Sequence, residues 1–221
     1  MILSILVVLL VVYVYYIQFH RRQYPKRHLD DLLEAHTFKT GDVILMKAYN
    51  HFSAVVIGNY FTHLGLVYVR PDGTPMLFEA AETSKSNLKD HHSRAGVYLT
   101  PLKERLQKYK GMCWLKALNK PLEPGVVSNL ERFISYALKH MYYSTSVVSD
   151  GLKKMVGLSR CGDNTNCAEI VFLSLLVCKL LPIDEYDHAR SHIKFLSYLT
   201  ELEHGYQFEE LIEIVDYPFA Y

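Results

Sequence analysis

The sequence at residues 63–80, HLGLVYVRPDGTPMLFEA, decides the fold. Two runs rich in aliphatic and aromatic residues, 63–69 and 75–80, flank the tripeptide Pro-Asp-Gly at 71–73. Proline presets the φ angle of a turn and glycine supplies a positive one, so this tripeptide is a strong turn signal. The stretch therefore predicts two strands joined as a β-hairpin.

Segments of similar composition lie on both sides of this hairpin. The further predicted strands are VILMK (43–47), GVYLT (96–100), MCWLKAL (112–118) and FEELIEIVDY (208–217). Helical periodicity marks a second set of segments, which are 29–36, 101–109, 126–141, 166–181 and 188–203. Strands that come first and helices that mostly follow predict an α+β fold, with an antiparallel sheet packed against helices.

The overall composition is that of a globular chain. Of the 221 residues, 50% are hydrophobic and 21% are charged, and the formal net charge is +1. These values exclude a disordered protein and a polytopic transporter. Because there is no basic excess, we expect no binding to nucleic acid.

The N-terminal segment MILSILVVLLVVYVYYI (1–17) carries no charge. An apolar run of about this length can cross a bilayer as one helix, so we predict a transmembrane anchor over residues 1–19. A cleaved signal peptide is one alternative, but no basic residues precede the run and no small-residue cleavage site ends it. A buried core helix is another, disfavoured because the segment is apolar on all sides.

A basic segment, HRRQYPKRH (20–28), follows the predicted anchor and contains no acid. The positive-inside rule then predicts a single-pass membrane protein with a cytosolic body, and the basic residues could also contact anionic head groups. We assign residues 20–39 to this juxtamembrane collar and a short helix, and residues 40–221 to the main domain. Without the four positive charges of the collar, residues 29–221 carry a net charge of −3.

The four cysteines are Cys113, Cys161, Cys167 and Cys178. They form no CxxC pair and no zinc-ligand spacing with histidine, and a cytosolic body would keep them reduced. Cys113 and Cys178 lie in apolar runs and are predicted to be buried. The sequence also has no phosphate-binding loop or dinucleotide fingerprint, so we expect no cofactor and no metal.

Cys167 is the candidate nucleophile, because it falls at the start of the predicted helix in NTNCAEIVFLSLL (164–176). The positive end of a helix favours a thiolate, and the free N–H groups there can hold a developing oxyanion. A structural cysteine buried near a helix start is the alternative, and this segment alone does not exclude it.

A thiolate nucleophile needs a base, and the base needs an orienting partner. Of the eleven histidines, His63 stands out because it opens an otherwise apolar strand. Glu79 lies near the end of the next strand, so a hairpin would place both residues near the same end of the sheet, where a carboxylate can fix an imidazole tautomer. Two unrelated polar residues at strand ends remain the alternative.

Four segments together resemble a known family. GDVIL (41–45), THLGLVY (62–68), LFEA (77–80) and NCAEIVFLSLL (166–176) occur in the order found in the circularly permuted papain-like thiol hydrolases. Within that superfamily the chain is most similar to the YiiX-like branch, which includes poxviral members. The resemblance implies a permuted papain-like fold over most of the body.

The resemblance also implies roles for individual residues. Cys167 would be the nucleophile, His63 the base and Glu79 the orienting acid, and the substrate would be a peptide, an amide or a lipid ester. His51 departs from the pattern and receives no role. The sequence Asn166-Cys167 is also similar to the lecithin:retinol acyltransferase branch, but that branch usually has a histidine where this chain has Glu79.

These features predict a membrane-anchored cysteine hydrolase or acyltransferase that works through a thioester. A catalytically inactive papain-like fold that serves as a membrane-bound scaffold is the main alternative. A structural membrane protein of unrelated fold is a third, and it would make the ordered motifs a coincidence. The sequence does not specify the substrate, the balance between hydrolysis and transfer, or the oligomeric state.

Overall fold

The computed structural model describes residues 24–35, 37–48, 61–81, 96–143, 164–182 and 193–215. The predicted anchor at 1–19 lies outside these ranges, as do His51 and Cys161. Within the described ranges, no helix combines the length and the apolar character needed to cross a bilayer.

The described part of the chain has a mixed α+β fold. Its strands are β1 (Lys26–His28), β2 (Val43–Ala48), β3 (His63–Val69), β4 (Pro75–Ala81), β5 (Gly96–Pro101), β6 (Gly111–Lys116), β7 (Tyr142–Tyr143), β8 (Asn164–Thr165) and β9 (Ile212–Val215). Its helices are α1 (Leu29–Glu34), α2 (Leu102–Gln107), α3 (Pro124–His140), α4 (Cys167–Val177) and α5 (Ile193–Tyr198), and a 3₁₀ turn follows at Glu203–Gly205.

Seven strands form one sheet in the order β1-β9-β6-β2-β3-β4-β5, and β7 and β8 form a small separate pair. The predicted hairpin is confirmed: β3 and β4 are antiparallel, with Leu66 opposite Phe78 and Val69 opposite Pro75. Gly73 has a φ of 84° in the connecting turn, as that position of the tripeptide requires. The hairpin occupies one half of the sheet, with β5 on its outer side.

The sheet departs from the predicted antiparallel pattern at one edge, where β1 and β9 run parallel. Lys26 lies opposite Glu213, so part of the basic collar is an exposed edge strand. These strands come from distant parts of the chain, so no tight turn imposes an antiparallel direction on them. Sequence periodicity carries no information about the direction of such a pairing.

Within the described part of the predicted helical segment 188–203, α5 is helical and residues 199–202 are not. The buried Lys116 ammonium donates hydrogen bonds to the carbonyl oxygens of Leu196, at 3.1 Å, and Ser197, at 2.9 Å. Carbonyls in the last turn of a helix have no partner within the helix, so a lysine from β6 satisfies them here. The helix therefore ends where a tertiary contact takes over its carbonyl groups.

Both faces of the sheet are covered. On one face, side chains of α3, α4 and α5 pack on alternate residues of β2, β3 and β4, while on the other face α1 and α2 pack on the intervening residues. Burial on two faces explains why these strands are nearly continuous apolar runs. Cys113 and Cys178 are buried, as predicted.

The Gly-Asp pair before β2 has a structural role. Asp42 is fully buried, and its carboxylate accepts hydrogen bonds from the backbone N–H groups of Lys39, at 2.7 Å, and Leu118, at 2.8 Å. Burial raises the pKa of Asp42 to about 6, although these two bonds oppose the shift. Gly41 has a φ of 100°, and a Cβ there would lie 2.6 Å from a methyl carbon of Leu118. The hydrogen bonds of Asp42 therefore connect the turn before β2 with the residues just after β6.

Candidate active site

Cys167 is the first residue of α4. Asn166 caps this helix, and its side-chain oxygen accepts hydrogen bonds from the N–H groups of Ala168, at 2.9 Å, and Glu169, at 3.0 Å. Asparagine is among the preferred residues at this position because its side chain satisfies free N–H groups. The predicted helix start is therefore confirmed, and Cys167 lies at the positive end of an 11-residue helix.

The cap changes one expectation about the oxyanion site. Asn166 accepts a third hydrogen bond with its backbone carbonyl, from the N–H of Ile170 at 3.0 Å. Three of the four N–H groups in the first turn are therefore already bonded within the helix. The N–H of Cys167 itself is the first-turn donor that these bonds leave for a developing oxyanion.

His63 is the first residue of β3, and it contacts both other predicted members of the site. Its Nε2 lies 2.6 Å from Oε2 of Glu79, and the Cys167 thiol is hydrogen-bonded to the same ring. Since Nε2 is occupied by Glu79, Nδ1 is the ring nitrogen that remains for the thiol. The structure thus brings together Cys167, His63 and Glu79, although 88 residues separate Glu79 from Cys167 in the sequence.

Access differs among the three side chains. Glu79 is 1% exposed and lies entirely inside the protein. The His63 side chain is 16% exposed, and Cys167 is 7% exposed. A reactant can therefore approach from the Cys167 and His63 side, whereas the carboxylate acts only through the ring.

Arg105 is the residue that sequence reasoning missed. Its Nε donates to Oε1 of Glu79 at 2.5 Å and its Nη2 donates to Oε2 at 3.1 Å, and both side chains are buried. The signal was present in the sequence, because Arg105 lies between Leu102 and Leu106 on the buried side of α2. A charged residue on the apolar side of a short helix implies a buried partner.

The electrostatics of these groups are coupled. Burial alone would raise the pKa of Glu79, but the Arg105 guanidinium and His63 outweigh it and lower that pKa to about 2. Burial alone would lower the pKa of His63, but Cys167 and Glu79 outweigh it and raise that pKa to about 9. The site therefore favours an ionised carboxylate beside an imidazolium at neutral pH.

The site contacts both layers of helices. Arg105 belongs to α2 and Cys167 to α4, which pack on opposite faces of the sheet. The His63 ring lies at the end of β3 and reaches both Glu79 and Cys167. Such an arrangement can transfer a proton between a thiol and an imidazole whose orientation is fixed.

Besides His63, the described histidines are His28, His140 and His204, and all three are exposed. Among the residues that the structure describes, no three His, Cys, Asp or Glu side chains are grouped so that they could hold a metal ion.

No family model matches the chain, and no curated protein matches it. Among solved structures, the metalloprotein YiiX from Escherichia coli O157:H7 is similar, with 20% sequence identity and a TM-score of 0.43. The aligned region covers 62% of this chain and 64% of YiiX, so the chain spans less than two thirds of that protein's length. A likeness of this degree places the chain in no family, and the chemistry of the site follows from its own geometry.

Proposed function

We propose that the protein is a cysteine hydrolase or acyltransferase that uses Cys167, His63 and Glu79 through a thioester intermediate. The single observation that carries this proposal is the position of the His63 ring, hydrogen-bonded to the Cys167 thiol on one side and to the Glu79 carboxylate on the other. The substrate class is a carbonyl compound with a leaving group, such as a peptide, an amide or a lipid ester. The order of these residues in the chain further supports a permuted papain-like fold.

In the first half of the proposed reaction, Nδ1 of His63 takes the proton from Sγ of Cys167, and the thiolate attacks the substrate carbonyl carbon. The N–H of Cys167 donates to the oxyanion of the tetrahedral intermediate. When the intermediate collapses, the bond to the leaving group breaks and His63 returns its proton to that group. Cys167 is then left as a thioester.

In the second half, His63 takes a proton from water or from another nucleophile, which attacks the thioester carbonyl. The carbon–sulfur bond breaks, and the proton returns from His63 to Sγ of Cys167. Throughout, Glu79 stabilises the imidazolium form through Nε2 and leaves Nδ1 directed at the thiol.

The proposal predicts that an activated acyl ester will form a thioester at Cys167 only. We expect p-nitrophenyl acetate to add one acetyl group, mapped by mass spectrometry to Cys167 and removed by neutral hydroxylamine, and Cys167→Ala to remove the adduct. Cys178 is an internal control at the other end of α4, because burial raises the pKa of its thiol to about 12. The absence between about pH 6 and pH 9 of both an adduct at Cys167 and p-nitrophenol release above that of Cys167→Ala would overturn the enzyme and favour the inactive scaffold.

We also propose that residues 1–19 anchor the protein in a membrane with its body on the cytosolic side. The uncharged N-terminal sequence and the basic residues that follow it support this placement. The full-length chain is expected to stay with membranes after an alkaline carbonate wash, and a variant that lacks residues 1–19 is expected to be released. Release of the full-length chain by the wash would contradict the anchor.

A further inference from the structure

Two described side chains are hydrogen-bonded to the Glu79 carboxylate, and the proposed function uses only one of them. Its carboxylate contacts His63 through Oε2 and receives the two donors of Arg105 on Oε1 and Oε2. We propose that Arg105 is a positioning residue. The fork formed by its two guanidinium N–H donors holds the Glu79 carboxylate so that it accepts a hydrogen bond from Nε2 of His63. Nδ1 is thereby kept free to accept the Cys167 proton. This inference rests on the proposed function, because it concerns the same proton transfer.

The reason lies in the two tautomers of imidazole. An ionised carboxylate can only accept, so it requires a hydrogen on Nε2 and leaves Nδ1 of the neutral ring without one. A protonated Glu79 could instead donate to Nε2, and the hydrogen of the neutral ring would then lie on Nδ1. In that state Nδ1 of His63 cannot take a proton from Cys167. Base function therefore depends on Glu79 remaining ionised.

Burial works against that ionisation. A carboxylate that is 1% exposed is poorly solvated, and desolvation raises its pKa. Arg105 supplies a permanent positive charge at hydrogen-bond distance and offsets this effect. Without that charge, His63 would be the one basic side chain, among the described residues, that is hydrogen-bonded to the buried Glu79 carboxylate.

Charge balance supports the same role. With Arg105 present, the group of Arg105, Glu79, His63 and Cys167 is neutral overall both as thiol with imidazole and as thiolate with imidazolium. The proton can move between Cys167 and His63 without changing the net buried charge. Without Arg105 the group carries a net charge of −1 in both states, which burial disfavours.

Arg105 is itself held in place by its surroundings. Its guanidinium carbon lies 5.3 Å from the centre of the Tyr109 ring, and the Tyr109 hydroxyl is hydrogen-bonded to the side chain of Thr62, the residue before His63. Leu102 and Leu106 are fully buried on either side of it in α2. A side chain packed this closely has lost its rotamer freedom before it acts, as a positioning role requires.

The test compares Arg105→Met and Arg105→Lys with Arg132→Met in the full-length chain. Arg132 is an exposed residue of α3, so it receives the same substitution without touching the site. Long-range ¹H–¹⁵N spectra of the His63 ring report which nitrogens carry hydrogen, and the rate of Cys167 alkylation by iodoacetamide reports base function.

At pH 7 we expect wild type and Arg132→Met to show a doubly protonated His63 ring, which is the form that has accepted the Cys167 proton at Nδ1. Arg105→Met should show a neutral ring with hydrogen on Nδ1 and an alkylation rate lower by about 10²-fold. Arg105→Lys restores the charge without the fork, so its rate should fall between the two. These shifts in tautomer are a signature that a merely structural role for Arg105 would not produce.

A folded Arg105→Met protein with the wild-type ring signature and alkylation rate would overturn this inference. If that variant does not fold, Arg105→Lys decides, because wild-type behaviour in it would show that the fork is not needed. Failure of the proposed function would look different: wild-type Cys167 would react no faster than Cys178, whatever residue stands at position 105.

Discussion

Replacing His63 with alanine is expected to lower the rate at which iodoacetamide alkylates Cys167 at pH 7 by about 10²- to 10⁴-fold. The ring is hydrogen-bonded to the thiol and is therefore the proton acceptor that the geometry supplies. Without the ring, Cys167 keeps the favourable end of α4 but loses its proton acceptor. The rate is measured by intact mass after timed quenching.

The pH dependence gives this prediction a second readout. Cys167 and Glu79 raise the pKa of His63 to about 9, so the ring remains an imidazolium up to about that pH. An unassisted thiol ionises near pH 8.5, so the difference in alkylation rate between wild type and His63→Ala should narrow as the pH rises above about 8. His140→Ala, an exposed histidine at the end of α3, is the control and should match wild type at every pH. Equal rates for His63→Ala and wild type at pH 7 would contradict the base role.

Most of this site could be predicted from local sequence. The turn at 71–73 fixes the pairing of β3 with β4, and that pairing alone brings His63 near Glu79. The cap residue Asn166 likewise marks where α4 begins and hence where Cys167 lies. Both inferences work because each depends on neighbours within about twenty residues, where backbone geometry leaves few choices.

The contribution of Arg105 could not be predicted in the same way. α2 is six residues long, and its sequence does not show which strand it covers. Only the packing of Leu102 and Leu106 on the sheet brings the guanidinium to Glu79. The parallel pairing of β1 with β9 was unpredictable for a related reason, since it depends on contacts between distant parts of the chain.

The largest expected effect on stability comes from separating the buried pair of Glu79 and Arg105. Glu79→Ala leaves a buried guanidinium without its counterion, and we expect it to lower the free energy of unfolding by about 3–5 kcal/mol. Arg105→Met leaves the carboxylate with His63 alone and should cost a similar amount. Urea denaturation at pH 7 measures both. The exposed pair of Glu104 in α2 and Lys108, the residue that directly follows α2, is the control, and its removal should cost less than about 0.5 kcal/mol.

The double variant Glu79→Leu/Arg105→Met separates stability from function. It leaves no unpaired charge, so its free energy of unfolding should lie much closer to that of wild type than the sum of the single effects. A double variant that is folded but fails to activate Cys167 would mean that the pair is retained for chemistry. The pH dependence has a definite sign: because Arg105 and His63 together lower the pKa of Glu79 to about 2, the stability from the ionised carboxylate is complete above about pH 4.5. That stability should disappear as the pH falls through 2.

In the double variant, losses of unfolding free energy equal to the sum of the two single-variant losses would show that the two side chains do not act as a pair.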